Sequence, residues 1–424
     1  MSGTGEMAVP AGPGGEVGTG AASGSSPQPA GDREYLMTTY PDPPVTFVQG
    51  VGAYLIDVSG KRYLDFFSGI AVTSLGHAHP AVTEAISAQA ARLSHVSNLF
   101  GNIQAAPLAA KIDALIGDGT PAGGRVFFAN SGAEANECAI KLARKWGGGE
   151  RWRIVSTTGS FHGRTLATWS ATGKSEALEA FRPLPAGFEH IPYDDLEALK
   201  AAVPAGDVAG FIVEPIQGEN GIVEPSPGYL AAARAVCAEA GVLFISDEVQ
   251  SGLGRTGRWF GFQRSDLAPD IVTMAKALGN GFPIGACWAR AEVADRFVPG
   301  DHGSTYGGQP LACAAAMATL KAMEEMNAPE KAASAGARLA EALEGVPGVV
   351  RVRGKGLLLG VVLDGDYSAT AASLALARGL VVNPVRPETI RLSPPLVITD
   401  GEIDSGCEIL AAAIGQARSD ADGA

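Results

Sequence analysis

The chain reads DIVTMAKALGNG from Asp270 to Gly281. Residues 270–274 predict a short buried strand, and the Gly-Asn-Gly turn at 279–281 prevents a long helix from following it. Lys276 is therefore expected at the end of that strand, where its ammonium is poorly hydrated. Desolvation lowers the pKa of such an amine and makes it a nucleophile toward carbonyl carbon. A lysine in such a place is more often a surface residue with its stem along apolar groups, so its sequence context decides between the two.

A second buried strand is predicted in GVLFISDEVQ, which runs from Gly241 to Gln250. Asp247 falls at its carboxyl end, and ligands of open α/β sheets bind in the crevice at that end of the strands. An aspartate near a lysine that reacts with carbonyls has a specific use. It pairs with the pyridine nitrogen of pyridoxal phosphate (PLP), so that the ring can accept electrons. The alternative is that Asp247 caps the following turn.

A third stretch is typical of a phosphate site. The strand GRVFFA at 124–129 precedes NSGAEANE at 130–137, which begins a helix. The small residues Ser131, Gly132 and Ala133 leave free backbone N–H groups at the positive end of the helix dipole. The other interpretation is a capping box, with Ser131 as N-cap and Glu134 at the third helical position. Both can hold, because each requires the helix to begin at the same place.

Together these motifs resemble the class III (ornithine-type) PLP-dependent aminotransferases of fold type I, from about Thr39 to about Leu410. Within that class the sequence is most similar to the acetylornithine aminotransferases. Gln309 departs from the family, which usually has asparagine there. The resemblance rests on NSGAEANE (130–137), FHGRT (161–165), EPIQGE (214–219), DEVQSGLGRTG (247–257), the Lys276 segment and GSTYGG (303–308).

The resemblance implies how the cofactor is held. Lys276 carries PLP through its amine and moves the proton during the reaction, and Asp247 pairs with the pyridine nitrogen. Phe161 stacks on the ring, and Gln250 hydrogen-bonds its phenolic oxygen. The phosphate contacts Ser131, Gly132, Ala133 and, from the neighbouring subunit, Thr305. His162 is assigned a supporting structural role, and no metal is expected.

The resemblance also implies how substrates are held. Arg164 clamps the α-carboxylate through a bidentate pair, a role suited to a planar guanidinium, and Tyr40 assists it. Ser304 lies beside the substrate. Glu219 and Arg391 form a switch: paired, they leave room for an amino acid with a long side chain, and unpaired, Arg391 binds the second carboxylate of glutamate or 2-oxoglutarate.

The activity implied is transfer of the terminal amino group of N-acetylornithine to 2-oxoglutarate in two ping-pong half-reactions, a step of arginine biosynthesis. The partners implied are these small molecules and a second copy of the chain, in a homodimer with shared active sites. Ornithine or another ω-amino acid, such as 4-aminobutyrate or an acyl-diamine, is the alternative substrate. A remote alternative is an NAD-dependent dehydrogenase, because GLGRTG at 252–257 matches the dinucleotide pattern, although it does not begin at the strand end.

Composition limits the function classes. A formal net charge of −13 argues against nucleic acid or an anionic membrane as the main partner, and no apolar run reaches the length of a membrane span. Five scattered cysteines without a CxxC pair indicate free thiols in a reducing cytoplasm rather than disulfides or a zinc site.

The order of predicted strands and helices indicates the fold class. Strands alternate with helices between about residues 82 and 303, which predicts an α/β fold with a mainly parallel central sheet and helices on both faces. A smaller α+β domain comes from the N- and C-terminal parts. The predicted segments are a disordered tail (1–33), the first part of the small domain (34–75), a large PLP-binding domain (76–310) and the C-terminal small domain (311–424).

Overall fold

The computed structural model describes residues 35–174 and 179–423. The tail predicted for residues 1–33 lies outside them. The chain divides into two compact units, Met1–Thr46 and Phe47–Ala424. In the first unit, residues 35–46 form turns and bends, and the Thr39 N–H donates a hydrogen bond to the Met37 carbonyl (2.8 Å). The helices and strands of the described residues all belong to the second unit.

Strands and helices alternate through much of the second unit. In chain order the strands are β1 (Phe47–Val51), β2 (Tyr54–Asp57), β3 (Arg62–Asp65), β4 (Gly124–Ala129), β5 (Arg153–Thr157), β6 (Phe188–Ile191), β7 (Val208–Val213), β8 (Leu243–Asp247), β9 (Ile271–Met274), β10 (Gly285–Arg290), β11 (Val349–Lys355), β12 (Leu358–Leu363), β13 (Leu380–Val381), β14 (Asn383–Arg386) and β15 (Thr389–Leu392). The helices are α1 (Ser68–Ala71), α2 (Pro80–Ala90), α3 (Ala105–Ile116), α4 (Gly132–Trp146), α5 (Leu166–Ala171), α6 (Leu196–Ala202), α7 (Tyr229–Glu239), α8 (Ala291–Ala294), α9 (Pro310–Glu325), α10 (Ala328–Glu344), α11 (Ser368–Ala377) and α12 (Asp400–Asp422). The first of these, α1, is a left-handed turn, because Ser68, Gly69, Ile70 and Ala71 all have positive φ.

The central sheet has seven strands in the order β4-β10-β9-β8-β7-β5-β6. Five neighbouring strands, from β9 to β6, are parallel, whereas β10 runs antiparallel to both β9 and β4. The mainly parallel sheet is therefore confirmed. Strands β6 and β10 were not predicted. The sequence of β10, GACWAR, is rich in small residues and lacks the β-branched character of the other strands.

Apolar residues of the central strands alternate between the two faces of the sheet. Ile154 and Ile245 pack into one cluster with residues of α4, whereas Val155 and Phe244 pack into another with residues of α6 and α7. Neighbouring residues of a strand point to opposite faces, so strands that are apolar throughout require helices on both sides. Each fully buried side chain of this size contributes about 1.5–3 kcal/mol to folding.

Two four-stranded sheets complete the second unit, in the orders β1-β2-β3-β13 and β11-β12-β15-β14. Strand β13 pairs in parallel with β3, which joins the C-terminal part of the chain to its N-terminal strands. Strands near β1, β2, β3, β11, β12 and β13 were predicted, whereas β15, which carries Arg391, was not. The division into domains at residues 75 and 310 stays a prediction.

All five cysteines are buried and free, in agreement with the sequence. Across residues 35–174 and 179–423, no helix is long and apolar enough to span a bilayer.

Candidate active site

Lys276 lies two residues after the end of β9. Its backbone has a φ of +42°, and the 310 turn Lys276–Leu278 that follows ends at Gly279. A non-glycine residue in this left-handed region costs about 1–2 kcal/mol, a form of strain that collects at functional sites. The pKa of the Lys276 amine is lowered to about 8: burial is the largest cause, the charge of Arg391 acts in the same direction, and nearby carboxylates act in the opposite one. The amine is therefore close to its neutral, reactive form near physiological pH.

Asp247 ends β8 and is held by three donors. Its Oδ2 accepts hydrogen bonds from Asn136 Nδ2 (2.7 Å) and His162 Nδ1 (2.7 Å), and its Oδ1 accepts one from the Val249 N–H (3.1 Å). A carboxylate oxygen accepts hydrogen bonds, so the His162 tautomer that fits this contact has its proton on Nδ1. Asp247 is only 3% exposed. These contacts fix a buried carboxylate in one orientation, and the contact with Val249 shows that it also caps its turn.

The start of α4 leaves backbone donors free for an anion. The Ala135 N–H makes the first bond of the helix, to the Ser131 carbonyl (3.1 Å), so the N–H groups of Gly132 and Ala133 come before the intrahelical ladder. The Ser131 side chain caps the Glu134 N–H (3.2 Å), as predicted. The reciprocal half of the capping box is wrong, because the Glu134 carboxylate accepts from the Asn130 N–H (2.8 Å) and not from Ser131.

A cavity of about 380 Å³ lies where these elements meet. Asp247 ends a central strand, and Lys276, Phe161 and Glu214 follow the ends of others, so all four gather at the carboxyl edge of the sheet. Eight of the predicted site residues line the cavity: Ser131, Gly132, Ala133, Phe161, Arg164, Asp247, Gln250 and Lys276. The guanidinium of Arg164 lies over the rings of Phe161 (5.7 Å) and Trp169 (4.8 Å).

Glu219 and Arg391 form an ion pair next to this cavity. Arg391 Nη1 donates to Glu219 Oε1 (2.5 Å) and to Gln250 Oε1 (3.1 Å), and Gln250 lines the cavity. Burial raises the pKa of the Glu219 carboxyl, but the charge and hydrogen bond of Arg391 outweigh burial and leave it lowered. The predicted pair is thus present, with Glu219 and Arg391 in contact.

The remaining predicted residues lie outside the cavity lining. Ser304 Oγ accepts from Asn130 Nδ2 (3.2 Å), and Asn130 is a lining residue. Thr305 is exposed beside it. Tyr40 belongs to the first unit, Met1–Thr46. The roles implied for these three residues, like those of the residues that line the cavity, stay predictions.

The sequence matches the family model of the class III aminotransferases over residues 36–414. The chain belongs to this family. The acetylornithine aminotransferase of Corynebacterium efficiens is 46% identical over 392 residues, covering 90% of this chain and 96% of that protein. The protein of the same name from Methanothermobacter thermautotrophicus is also 46% identical, covering 89% of this chain and 96% of that protein.

Solved structures agree with the family. The ornithine aminotransferase of Toxoplasma gondii has a TM-score of 0.87 at 36% identity, covering 92% of this chain and 94% of that one. The acetylornithine aminotransferase of Elizabethkingia anophelis has a TM-score of 0.80 at 34% identity, covering 91% and 97%. The fold type and the prediction of a PLP-dependent aminotransferase are confirmed. The dehydrogenase alternative is wrong, and residues 252–257 form turns rather than the start of a helix.

Two cavity-lining residues of this aminotransferase were not singled out from the sequence. Asn136 holds Asp247 and donates a second hydrogen bond to the His162 carbonyl (2.8 Å), while its own Oδ1 is buried without a protein partner among the described residues. Burial raises the pKa of Glu214 to about 7, and its Oε2 accepts from the Phe161 N–H (3.0 Å). Asn136 lies in the motif NSGAEANE and Glu214 in EPIQGE, but the spacing of a motif does not show which of its side chains point into the site.

Proposed function

We propose that this aminotransferase moves the terminal amino group of N-acetylornithine to 2-oxoglutarate, as a step of arginine biosynthesis. The observation that carries the proposal is the Glu219–Arg391 pair beside the cavity. One site must accept an amine with an uncharged acyl group and then a dicarboxylate. Among the described residues Glu219 is the one carboxylate paired with the buried guanidinium of Arg391, and a cation whose carboxylate partner turns away meets both needs. The names of the 45–46% identical relatives support the same substrate.

The residues of the cavity fit PLP. Adding a Cβ to Gly132 would bring it to 2.8 Å from Val249 Cγ1, so the helix start has space only for a glycine next to the free N–H groups. We assign the phosphate to Ser131, Gly132 and Ala133, the ring face to Phe161 and the phenolic oxygen to Gln250. Asp247 receives the pyridine nitrogen, and Lys276 forms the covalent link. When bound, PLP supplies the electron sink that lets the substrate carbon lose a proton.

Lys276 carries out the proton transfers in this proposal. With PLP bound, Lys276 would hold the cofactor, and its free neutral amine would take a proton from the substrate carbon as a base and give that proton back as an acid. A pKa near 8 suits this work, because one group must act as base and then as acid near neutral pH. Asp247, held by Asn136 and His162, keeps its negative charge aimed into the cavity.

Arg164 and Arg391 divide substrate recognition. Arg164 lines the cavity and binds the α-carboxylate common to both substrates, with Tyr40 assigned to assist and Ser304 placed beside the substrate. While Glu219 neutralises Arg391, the long acylated side chain is accepted. Once Glu219 turns away, the guanidinium binds the second carboxylate of 2-oxoglutarate.

The same proposal includes a cytoplasmic homodimer. Thr305 is exposed and is assigned to the phosphate in the neighbouring subunit. Next to it lies an apolar patch of Leu99, Phe100, Ile103 and Tyr306, which are 65–88% exposed. Apolar patches of this kind mark interaction surfaces.

The five free thiols fit the reducing cytoplasm. The large PLP-binding domain is assigned to residues 76–310, and the small domain to 34–75 with 311–424.

Half-reactions on the purified protein test the substrate. N-acetylornithine, ornithine and 4-aminobutyrate are added separately to the PLP-loaded enzyme, and loss of the visible cofactor band is followed. We expect rapid conversion by N-acetylornithine and much slower conversion by the other two. Faster conversion by ornithine or 4-aminobutyrate would overturn the proposed substrate and keep the aminotransferase mechanism.

A further inference from the structure

The guanidinium of Arg391 is held on two sides by different kinds of acceptor. On one side Nη1 donates to the Glu219 carboxylate (2.5 Å) and to the Gln250 amide oxygen (3.1 Å). On the other side Nε (3.2 Å) and Nη2 (2.8 Å) both donate to Asn383 Oδ1. Arg391 itself is 2% exposed. Among these three acceptors, Glu219 alone carries charge.

The two sides differ in rigidity. Asn383 and Arg391 face each other as partners on the antiparallel strands β14 and β15, and Arg391 is paired again on its other side with Gly360 of β12. Sheet register therefore fixes the Asn383 oxygen relative to the guanidinium. Glu219 lies in a loop between β7 and α7 and keeps 24% of its side chain exposed. Glu219 is thus the partner that has room to leave.

The two sides also differ in charge. The Asn383 oxygen occupies two of the five N–H donors of Arg391 and leaves its positive charge uncancelled. When Glu219 turns away, Asn383 still holds the guanidinium in place. The Nη1 side of Arg391, next to the cavity, is then positively charged and free to bind a carboxylate. An aspartate in place of Asn383 would have the same shape and would neutralise Arg391 permanently.

We propose that Asn383 is a specificity-determining residue: it fixes Arg391 through an uncharged acceptor, so that the second carboxylate of a dicarboxylate substrate can be bound in one half-reaction only. This inference rests on the proposed function and deepens it. Asn383 acts through Arg391, so it is a positioning residue. It is predicted to affect the dicarboxylate and to leave the acylated amine nearly unaffected.

The test compares Asn383→Asp with the wild type in two measurements. The first is calorimetric binding of glutarate, a dicarboxylate that has no amino or keto group to react. The second is the pair of half-reactions, with 2-oxoglutarate and with N-acetylornithine. We expect the dissociation constant for glutarate and the half-saturating concentration for the dicarboxylate half-reaction to rise about 10- to 100-fold, the range for losing a hydrogen-bonded charge pair. The specificity constant for N-acetylornithine should change less than about threefold, because its side chain carries no second carboxylate.

Two further variants keep the test decisive. Asn327→Asp adds the same charge before α10 and controls for net charge, so it should leave both measurements unchanged. Asn383→Ala removes the anchor without adding charge and should weaken glutarate binding less than Asn383→Asp does. Unchanged glutarate binding in Asn383→Asp, or an equal loss in both half-reactions, overturns the inference. If the wild type prefers another amine, the proposed substrate is wrong, but the glutarate comparison still decides the role of Asn383.

Discussion

Lys276 shows how position changes the chemistry of an ordinary residue type. Burial is the largest cause of its lowered pKa, and the charge of Arg391 adds to it. Glu219, Asp247 and Glu214 act in the opposite direction and keep the pKa from falling further. The pKa of this amine therefore lies between that of a surface lysine and that of a fully desolvated one. A group that must both accept and donate protons works best in that range.

The pH dependence of cofactor uptake should report this pKa. Only the neutral amine attacks a carbonyl, so the rate at which the apoenzyme takes up PLP should rise about tenfold per pH unit below pH 8 and level off above it. Stopped-flow absorbance between about pH 6.5 and 9.5, a window around that pKa, measures the rate. Lys276→Ala should form no covalent link with PLP. A rate that keeps rising up to about pH 10 would indicate an ordinary lysine.

Glu214 should leave a signature in stability. Burial raises its pKa from 4.5 to about 7, so its contribution to stability is fully present below pH 4.5 and is lost as the pH rises through 7. Glu214→Gln has no proton to lose. The stability of this variant relative to the wild-type apoenzyme should therefore increase between about pH 5 and 8, by up to about 3 kcal/mol.

Thermal unfolding at several pH values measures this difference. The exposed substitution Glu344→Gln serves as a matched control and should show no such trend. A constant offset between Glu214→Gln and wild type across the pH range would show that Glu214 ionises normally in the folded protein.

At the scale of elements, the start of α4 joins the cofactor site to the sheet. The helix begins with Gly132, whose missing side chain lets the backbone approach Val249. In Gly132→Ala the new Cβ would lie 2.8–2.9 Å from both γ-carbons of Val249, a stiff β-branched side chain. Relieving such overpacking costs about 1–3 kcal/mol and moves the N–H donors. We expect the affinity of the apoenzyme for PLP to fall at least about tenfold.

Gly415→Ala is the matched control for this change. Gly415 lies inside α12, and a Cβ added there would meet no atom within 4 Å. Alanine in a helix interior is favoured over glycine by about 0.5–1 kcal/mol, so this variant should be slightly more stable and bind PLP normally. Fluorescence titration of the two apoenzymes with PLP separates the cases; equal affinities would remove the structural reason for Gly132.

At the scale of the whole molecule, the apolar patch and Thr305 are continuous. The Asn98 side chain donates to the carbonyls of Ser304 and Gly307 (3.0 Å each), and the rings of His95 and Tyr306 are 5.5 Å apart. The segment that carries Leu99, Phe100 and Ile103 is therefore tied to the segment that carries Thr305. In the proposed homodimer, Thr305 is assigned to the phosphate bound by the second copy, so loss of assembly should also lower activity.

A double substitution in the patch tests this link. Leu99→Asp with Phe100→Asp places two charges on the predicted interface, where burying unpaired charges is costly. We expect a monomer in sedimentation velocity and at least about a tenfold loss of activity, because a cofactor that loses one of its positioning groups is held less accurately for reaction. Val350→Asp, at an exposed apolar residue of β11, should leave the assembly unchanged. A double variant that remains dimeric with full activity would contradict the proposed interface.

The local pattern of this chain was enough to predict the parallel strands β5, β7, β8 and β9, the helix that begins after Ser131, and the meeting of Lys276 with Asp247. Runs that are apolar throughout must be buried on both faces, and residues that follow parallel strands meet at one edge of the sheet. The resemblance to the family added Phe161, Arg164 and Gln250, which the structure places around the cavity.

Tertiary structure alone decided the rest. Strand β10 pairs on one side with β9, which precedes it in the chain, and on the other side with β4, which is far away in sequence, and its small residues do not encode this place locally. The inward orientation of Asn136 and Glu214 depends in the same way on distant segments packing together. Asn383 is close to Arg391 in sequence, but it offers its oxygen to Arg391 only because β14 and β15 pair in this register. Sequence determined which residues carry chemistry, because residue type and strand position are local properties. The fold decided the orientation, burial and charge environment of those residues, because each of these properties depends on all the neighbours that only the folded chain brings together.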